Sequence, residues 1–224
     1  MNAHTILIGA CGWQYPQWDE TYYPEGIPED WRLAYYGNEY PVVLVPVAYW
    51  TQGMPAIESW LQESDHSPRF VCEWPASWDG PAQAEVQAMV ATLGERVAAI
   101  LVPLSMRPEA AGLRRIEQLL DAYPVCLDWQ AADRQGLLTW LAQSALAGRV
   151  SLCWHGEAAT SADLDVGRVA LARVRCEAQT PRSLRSLLEG MLAHTGEREG
   201  ILLFDGQPPD LEIVDQAQLI LNLL

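Results

Sequence analysis

Eight short runs rich in β-branched residues recur at intervals of about 20 to 37 residues, with helical periodicity in most gaps between them. They read Thr5–Ile8, Val42–Val47, Arg69–Glu73, Val97–Val102, Pro124–Asp128, Val150–His155, Val169–Val174 and Gly200–Phe204. Pro55 opens a helix carrying Ile57, Trp60 and Leu61, and Pro81 opens another whose Val86, Met89, Val90 and Leu93 lie on one face. Leu113, Ile116, Leu119 and Leu120 follow Pro108 in the same way. Asp133 is placed to cap a helix that Gly148 would end, Thr180 precedes an N1 proline, and Asp210 precedes the last helix.

Strict alternation of strand and helix argues for a parallel sheet with helices outside it. Eight units closing on themselves make a (β/α)8 barrel of TIM type, near that fold's lower size limit of about 200 residues. Too few residues separate His155 from Val169 for a full helix, so a shortened connection is expected after the sixth strand. An open doubly wound sheet is the alternative, though no Gly-x-Gly-x-x-Gly follows the first strand. The two differ at one seam, because a barrel pairs Ile6–Ile8 with both Val42–Val47 and Gly200–Phe204. No Pro/Gly/Ser-rich linker divides the chain, which reads as one domain over residues 1–224.

The charge is one-sided, with 29 acidic residues against 14 basic ones and a net charge of -15. A chain this acidic is poorly suited to neutralising phosphates, so no nucleic-acid partner is expected. Every basic residue is an arginine. The absence of lysine excludes Schiff-base chemistry, a P-loop lysine and a lysine general base. No apolar stretch approaches the roughly 20 residues that span a bilayer, and no signal peptide is apparent, so the expected setting is cytoplasmic, without a membrane partner. Five cysteines, Cys11, Cys72, Cys126, Cys153 and Cys176, show no C-x-x-C spacing and read as free core residues.

The first strand runs into Gly9-Ala10-Cys11-Gly12-Trp13-Gln14-Tyr15, followed by Trp18 and Tyr22-Tyr23-Pro24. This block resembles the start of the YecE-like family, domain-of-unknown-function family 72, whose members carry Gly-Thr-Ser-Gly-Trp-Ser-Tyr and then Trp and Phe-Tyr-Pro. Weaker similarities follow in order at Tyr40–Trp50, Arg69–Pro75 and Ile201–Gly206. The resemblance implies a barrel fold and supplies no agreed function. It carries over Gly9, Gly12, Trp13, Tyr49 and Arg173 as matching positions. Elsewhere the chain departs from the family. The family's glutamate and asparagine in the second strand fall on Leu44 and Pro46, its lysine in the third on Glu73, and its glutamine ending the fourth on Pro103. A Glu-x-Arg-His signature falls on Cys126-Leu127-Asp128-Trp129, and Arg-x-His-Gly on Arg173-Val174-Arg175-Cys176. The resemblance therefore implies a lost or rebuilt chemistry at the strand ends.

Those ends form the mouth of a barrel, where ligands sit. Residues two apart on a strand share a face, so Arg173 and Arg175 point the same way. Glu73, Asp128, His155 and Asp205 each end a strand and should converge with them. Glu73, Asp128 and His155 are the acid/base candidates. Gly9, Cys11, Gly12, Trp13, Tyr49, Arg173, Arg175 and Asp205 are the ligand-binding candidates. The competing structural reading pairs Glu73 and Asp128 with the two arginines as a polar rim. Glu73, Asp128, His155 and Asp205 would also suit a metal, but nothing in their spacing requires one, and no cofactor is expected. Of ten tryptophans, Trp31, Trp60 and Trp140 read as helix packing, whereas Trp13, Trp50, Trp74, Trp78, Trp129 and Trp154 could wall a pocket.

The expected function is binding, or hydrolysis, of a small polar or anionic ligand at the mouth. The alternatives are a catalytically silent protein acting through partners, and, by fold analogy alone, a metal-dependent lyase, isomerase or phosphodiesterase.

Overall fold

The computed structural model describes residues 6–19, 21–62, 68–75, 81–130, 133–156 and 167–224. Eight parallel strands form one sheet: β1 Ile6–Cys11, β2 Val42–Val45, β3 Arg69–Glu73, β4 Val97–Leu104, β5 Val125–Trp129, β6 Ser151–Leu152, β7 Val169–Arg175 and β8 Glu199–Asp205. Their spatial order is β6-β5-β4-β3-β2-β1-β8-β7. The remaining seam, between β6 and β7, is bridged by Trp154, whose N–H donates to Leu171 O (3.1 Å) and whose carbonyl accepts from Arg173 N (2.8 Å). The sheet is thereby a (β/α)8 barrel. Helices α1 Arg32–Gly37, α2 Met54–Gln62, α3 Pro81–Leu93, α4 Ala110–Ala122, α5 Arg134–Gln143 and α6 Pro181–Thr195 lie between strands, and α7 Leu211–Leu221 follows β8. The segment where a shortened connection is expected, residues 157–166, lies outside the described residues.

Side-chain parity builds two apolar layers. Leu7, Cys11, Leu44, Val71, Leu101 and Leu171 belong to an inner cluster filling the barrel. Ile6, Ile8, Ala10, Val43 and Val45 alternate with them and join the larger cluster beneath the helices. Both faces being buried explains why these strands read as continuous apolar runs. All five cysteines are free and buried, as expected of small core residues.

The closing seam is as the barrel requires, with Ile6 to Ala10 registered against Gly200 to Phe204. On the other side the expected pairing shifts. β2 pairs with Gly9, Ala10 and Cys11, not with Ile6–Ile8, because β1 continues straight through Gly9. Tyr36 explains the continuation. Its hydroxyl accepts from Ala10 N (2.7 Å) and donates to Val42 O (3.1 Å), lying between the two strands where only a glycine leaves room. β2 stops at Val45, since Pro46 has no N–H for the ladder, and a 3-10 helix Val47–Gln52 follows.

Caps at Asp133, Thr180 and Asp210 form as their residue types dictate, the second as a reciprocal capping box with Ser183. Gly148 does not end α5. That helix closes at Ser144, and Gly148 sits in the following turn at φ 68°. The aromatic motif after β1 is held by its own hydrogen bonds. Tyr23 Oη donates to Trp13 O (2.6 Å) and Trp18 Nε1 to Pro209 O (3.2 Å), tying this segment to the approach of α7 beyond the neighbouring strand β8.

Candidate functional site

Parity along the strands carries a polar layer to the C-terminal end of the barrel. Above the inner apolar cluster stand Glu73 at the end of β3, Asp128 on β5, His155 just past β6, Arg173 on β7 and Asp205 at the end of β8. Arg173 is the hub. Its Nη1 lies 3.1 Å from Glu73 Oε1 and 3.4 Å from Asp128 Oδ2, and its Nη2 lies 2.9 Å from Asp205 Oδ2. Nε also donates to Asp205 Oδ2 at 3.1 Å. One guanidinium thus joins carboxylates from three strands, a use of its fixed fork that an ammonium could not reproduce. Glu73 further accepts from Val47 N (3.1 Å) and Asp205 from Gly206 N (2.9 Å), so backbone as well as charge fixes both.

Asp128 is the most deeply placed member, with a side chain only 2% exposed. Its Oδ1 lies 2.9 Å from His155 Nε2, a close pair, although no aligned donor meets this oxygen. The other imidazole nitrogen, Nδ1, lies 3.2 Å from Arg173 O. Both ring nitrogens face acceptors, and only the imidazolium can offer a proton to each. Asp128 is accordingly the main influence raising the His155 pKa above its ordinary value. Burial and the Arg173 guanidinium oppose it, and the Arg173 carbonyl assists.

This arrangement predicts a pH dependence. A histidine whose pKa is raised on folding stabilises the native state fully below its unfolded value of about 6.5, and that contribution disappears as pH rises through the folded value. In chelator-treated protein, the stability difference between wild type and His155→Gln should therefore shrink as pH rises above about 6.5. Urea titrations across that range check it. A difference that grows with pH would mean the folded protein holds His155 neutral.

The two arginines divide. Arg173 is engaged on Nε and both terminal nitrogens, while Arg175, two residues further along β7, is exposed and makes no ion pair among the described residues. The competing reading, in which the two arginines share Glu73 and Asp128, is not what the described residues show: Arg173 takes both carboxylates, and Arg175 stands two residues further along β7.

The remaining candidates lie around the site in different ways. Cys11 belongs to the inner cluster beneath the polar layer, where burial pushes its thiol pKa far up, and it is held as a neutral thiol. Gly9 lies against β2 and Tyr36, within the wall. Gly12, at φ 78°, turns the chain beneath the Tyr49 hydroxyl. That hydroxyl accepts from Trp13 N (3.3 Å) and Gln14 N (2.9 Å). Trp13 is buried edge-on against Tyr49 and Trp60. Trp13 and Trp60 also line a cleft of about 210 Å³ with Gln14, Glu29, Asp30 and Gln52, which shares no lining residue with the Arg173 cluster. Trp50, Trp74 and Trp154 are buried in the packing. Trp31, expected to pack on a helix face, is 60% exposed, because the chain forms a 3-10 turn there and turns the indole outward. Trp78 lies outside the described residues.

Sequence reasoning missed Cys153 as a neighbour of the site. The ligand atoms of Asp128, Cys153 and His155 all lie within 4.8 Å of one another. The signal was present, since Cys153 is two residues from His155 and shares its inward face.

A family model described as "Protein of unknown function DUF72" matches residues 7–133. Two crystal structures of a DUF72 family protein from Enterococcus faecalis V583 are similar in fold. One, at 16% identity, has a TM-score of 0.67 and covers 100% of this chain and 100% of that one. The other, at 15% identity, has a TM-score of 0.65 and covers 98% of this chain and 96% of that one. No curated protein matches. His155, Arg173 and Asp205 all lie beyond the matched stretch.

Proposed function

The chain belongs to the DUF72 family of proteins of unknown function, and from that premise we propose that its barrel mouth binds a small anionic molecule with Arg175 as the anchor. The observation that supports this reading is the division between the arginines. Arg173 is engaged by three carboxylates, whereas Arg175 stands on the same strand face with no ion pair among the described residues. Charge agrees. Arg173 and Arg175 offset two of the three carboxylate charges of Glu73, Asp128 and Asp205, and Arg175 is the cation that no described carboxylate engages. A guanidinium engages a carboxylate or phosphate through two parallel N–H bonds, which gives orientation as well as affinity.

Binding stands at the centre of the reading and hydrolysis at its margin, because in the structure the His155 nitrogens face Asp128 Oδ1 and the Arg173 carbonyl. Five free, buried cysteines suit a reducing compartment and support a cytoplasmic setting. Among the described residues no helix is long and apolar enough to cross a membrane.

Thermal melts test the proposal. Arg175→Ala should lie within about 2 °C of wild type, since an exposed, unpaired side chain is worth no more than about 0.5 kcal/mol. Phosphate or malonate at matched ionic strength should raise the melting temperature of wild type and leave Arg175→Ala unmoved. An anion response that survives the substitution, or is absent from wild type, refutes the reading.

A further inference from the structure

We propose that Asp128, Cys153 and His155 form a binding site for one divalent cation of zinc type, independent of any anion held by Arg175. The three ligand atoms come from adjacent strand ends and lie within 4.8 Å of one another. Around a tetrahedral zinc, bonds of 2.0–2.3 Å put ligand atoms roughly 3.3–3.8 Å apart, so closure asks for a shift of about 1 Å. His155, with a side chain 41% exposed, has the freedom to make it.

Two further observations point to a metal. Asp128 Oδ1 is a buried carboxylate oxygen without an aligned hydrogen-bond donor, directed toward His155. The outer partners of His155 and Asp128 are also those that metal ligands ordinarily have. His155 Nδ1 faces the Arg173 carbonyl at 3.2 Å, which turns Nε2 toward the site. Asp128 Oδ2 is held by the Arg173 guanidinium at 3.4 Å, leaving Oδ1 to ligate.

The donor set names the cation. A thiolate, an imidazole and a carboxylate together suit zinc or cobalt and disfavour magnesium and calcium, which take oxygen ligands. Coordination releases the Cys153 thiol proton and the His155 Nε2 proton to solvent. The dication then balances the Asp128 carboxylate and the Cys153 thiolate. Three protein ligands leave a coordination position open toward the mouth, as in catalytic rather than structural zinc sites. The sequence alone suggests Glu73 and Asp205 as alternative ligands, but Arg173 and backbone N–H groups hold both.

Cobalt(II) titration of chelator-stripped protein is the test. One equivalent should produce a thiolate-to-cobalt charge-transfer band in the near ultraviolet, and zinc should displace it. His155→Gln and Cys153→Ala should lose the band, whereas Cys176→Ala and Arg175→Ala should keep it. His155 is exposed enough that its variant should fold even where Cys153→Ala does not. No band together with no one-to-one zinc binding by calorimetry overturns the proposal, as does a band that persists in His155→Gln. Because Arg175→Ala removes only the anion anchor, failure of the anion reading leaves this result unchanged.

Discussion

Arg173→Ala is expected to cost about 3–5 kcal/mol, the penalty for removing one partner from a buried ion pair and leaving the others uncompensated. The side chain is 20% exposed, and its partners Asp128, Glu73 and Asp205 are 2%, 15% and 32% exposed. Asp128 has the least access to water and should dominate the loss. For a chain of this size the melting temperature should fall by roughly 6–20 °C. A shape loss alone would give a different pattern from a charge loss. Adding Asp128→Asn to Arg173→Ala removes the deepest uncompensated charge and should recover part of the stability. In the wild-type background the same Asp128→Asn should be destabilising, so the sign of its effect reverses with the residue at 173. A double-mutant cycle measured by denaturant titration reads that reversal directly. A drop of under about 2 °C for Arg173→Ala would mean the hub carries no structural role.

The polar layer was legible because parity is local. Glu73, Asp128, His155, Arg173 and Asp205 each sit at a strand's C-terminal end, and a closed barrel leaves polar side chains no other place to meet. Which residues pair is a different kind of information. Arg173 meets Glu73 across 100 positions of sequence, and that contact depends on closure and on the relative stagger of β3 and β7. Nothing local distinguished Arg173 from Arg175, which share a face and differ only in height. The same limit explains the tryptophans. A strand-end aromatic reads equally as a pocket wall or as a plug, and Trp50, Trp74 and Trp154 become plugs through the elements that cover them.

The resemblance to DUF72 and the local chemistry account for separate parts of the molecule. The aromatic block after β1 secures the loop through Tyr49, Tyr23 and Trp18, which is a matter of architecture. The charged layer rests on contacts that the chain's own residues make. Glu73, where the resemblance implies a lysine, bonds Arg173. Asp128 pairs with both Arg173 and His155. A carboxylate at the end of β3 is thus met by a cation from β7.

Gly9→Ala should be among the most damaging single-methyl additions the chain can receive. A Cβ at Gly9 would fall inside the carbonyl oxygen of Val42 and 3.0 Å from the Tyr36 hydroxyl. Neither neighbour can yield cheaply. Val42 O is backbone of β2, and the Tyr36 hydroxyl is bonded at once to Ala10 N and Val42 O. Relief requires β1 and β2 to separate, which breaks both bonds and disturbs the register that sets Cys11 beneath the polar layer. Overpacking alone costs about 1–3 kcal/mol. A buried N–H and carbonyl left unpaired would add about 1–3 kcal/mol each. The expected total, roughly 3 kcal/mol or more, lowers the melting temperature by at least about 6 °C. Gly190→Ala is the matched control, because its added methyl meets Trp154 at an ordinary 3.5 Å within α6. Alanine also favours a helix over glycine by about 1 kcal/mol. Gly190→Ala should therefore be neutral or stabilising, while Gly9→Ala loses most of its folded yield. If both variants melt within about 2 °C of wild type, the close approach of β1, β2 and Tyr36 is not what demands glycine at position 9.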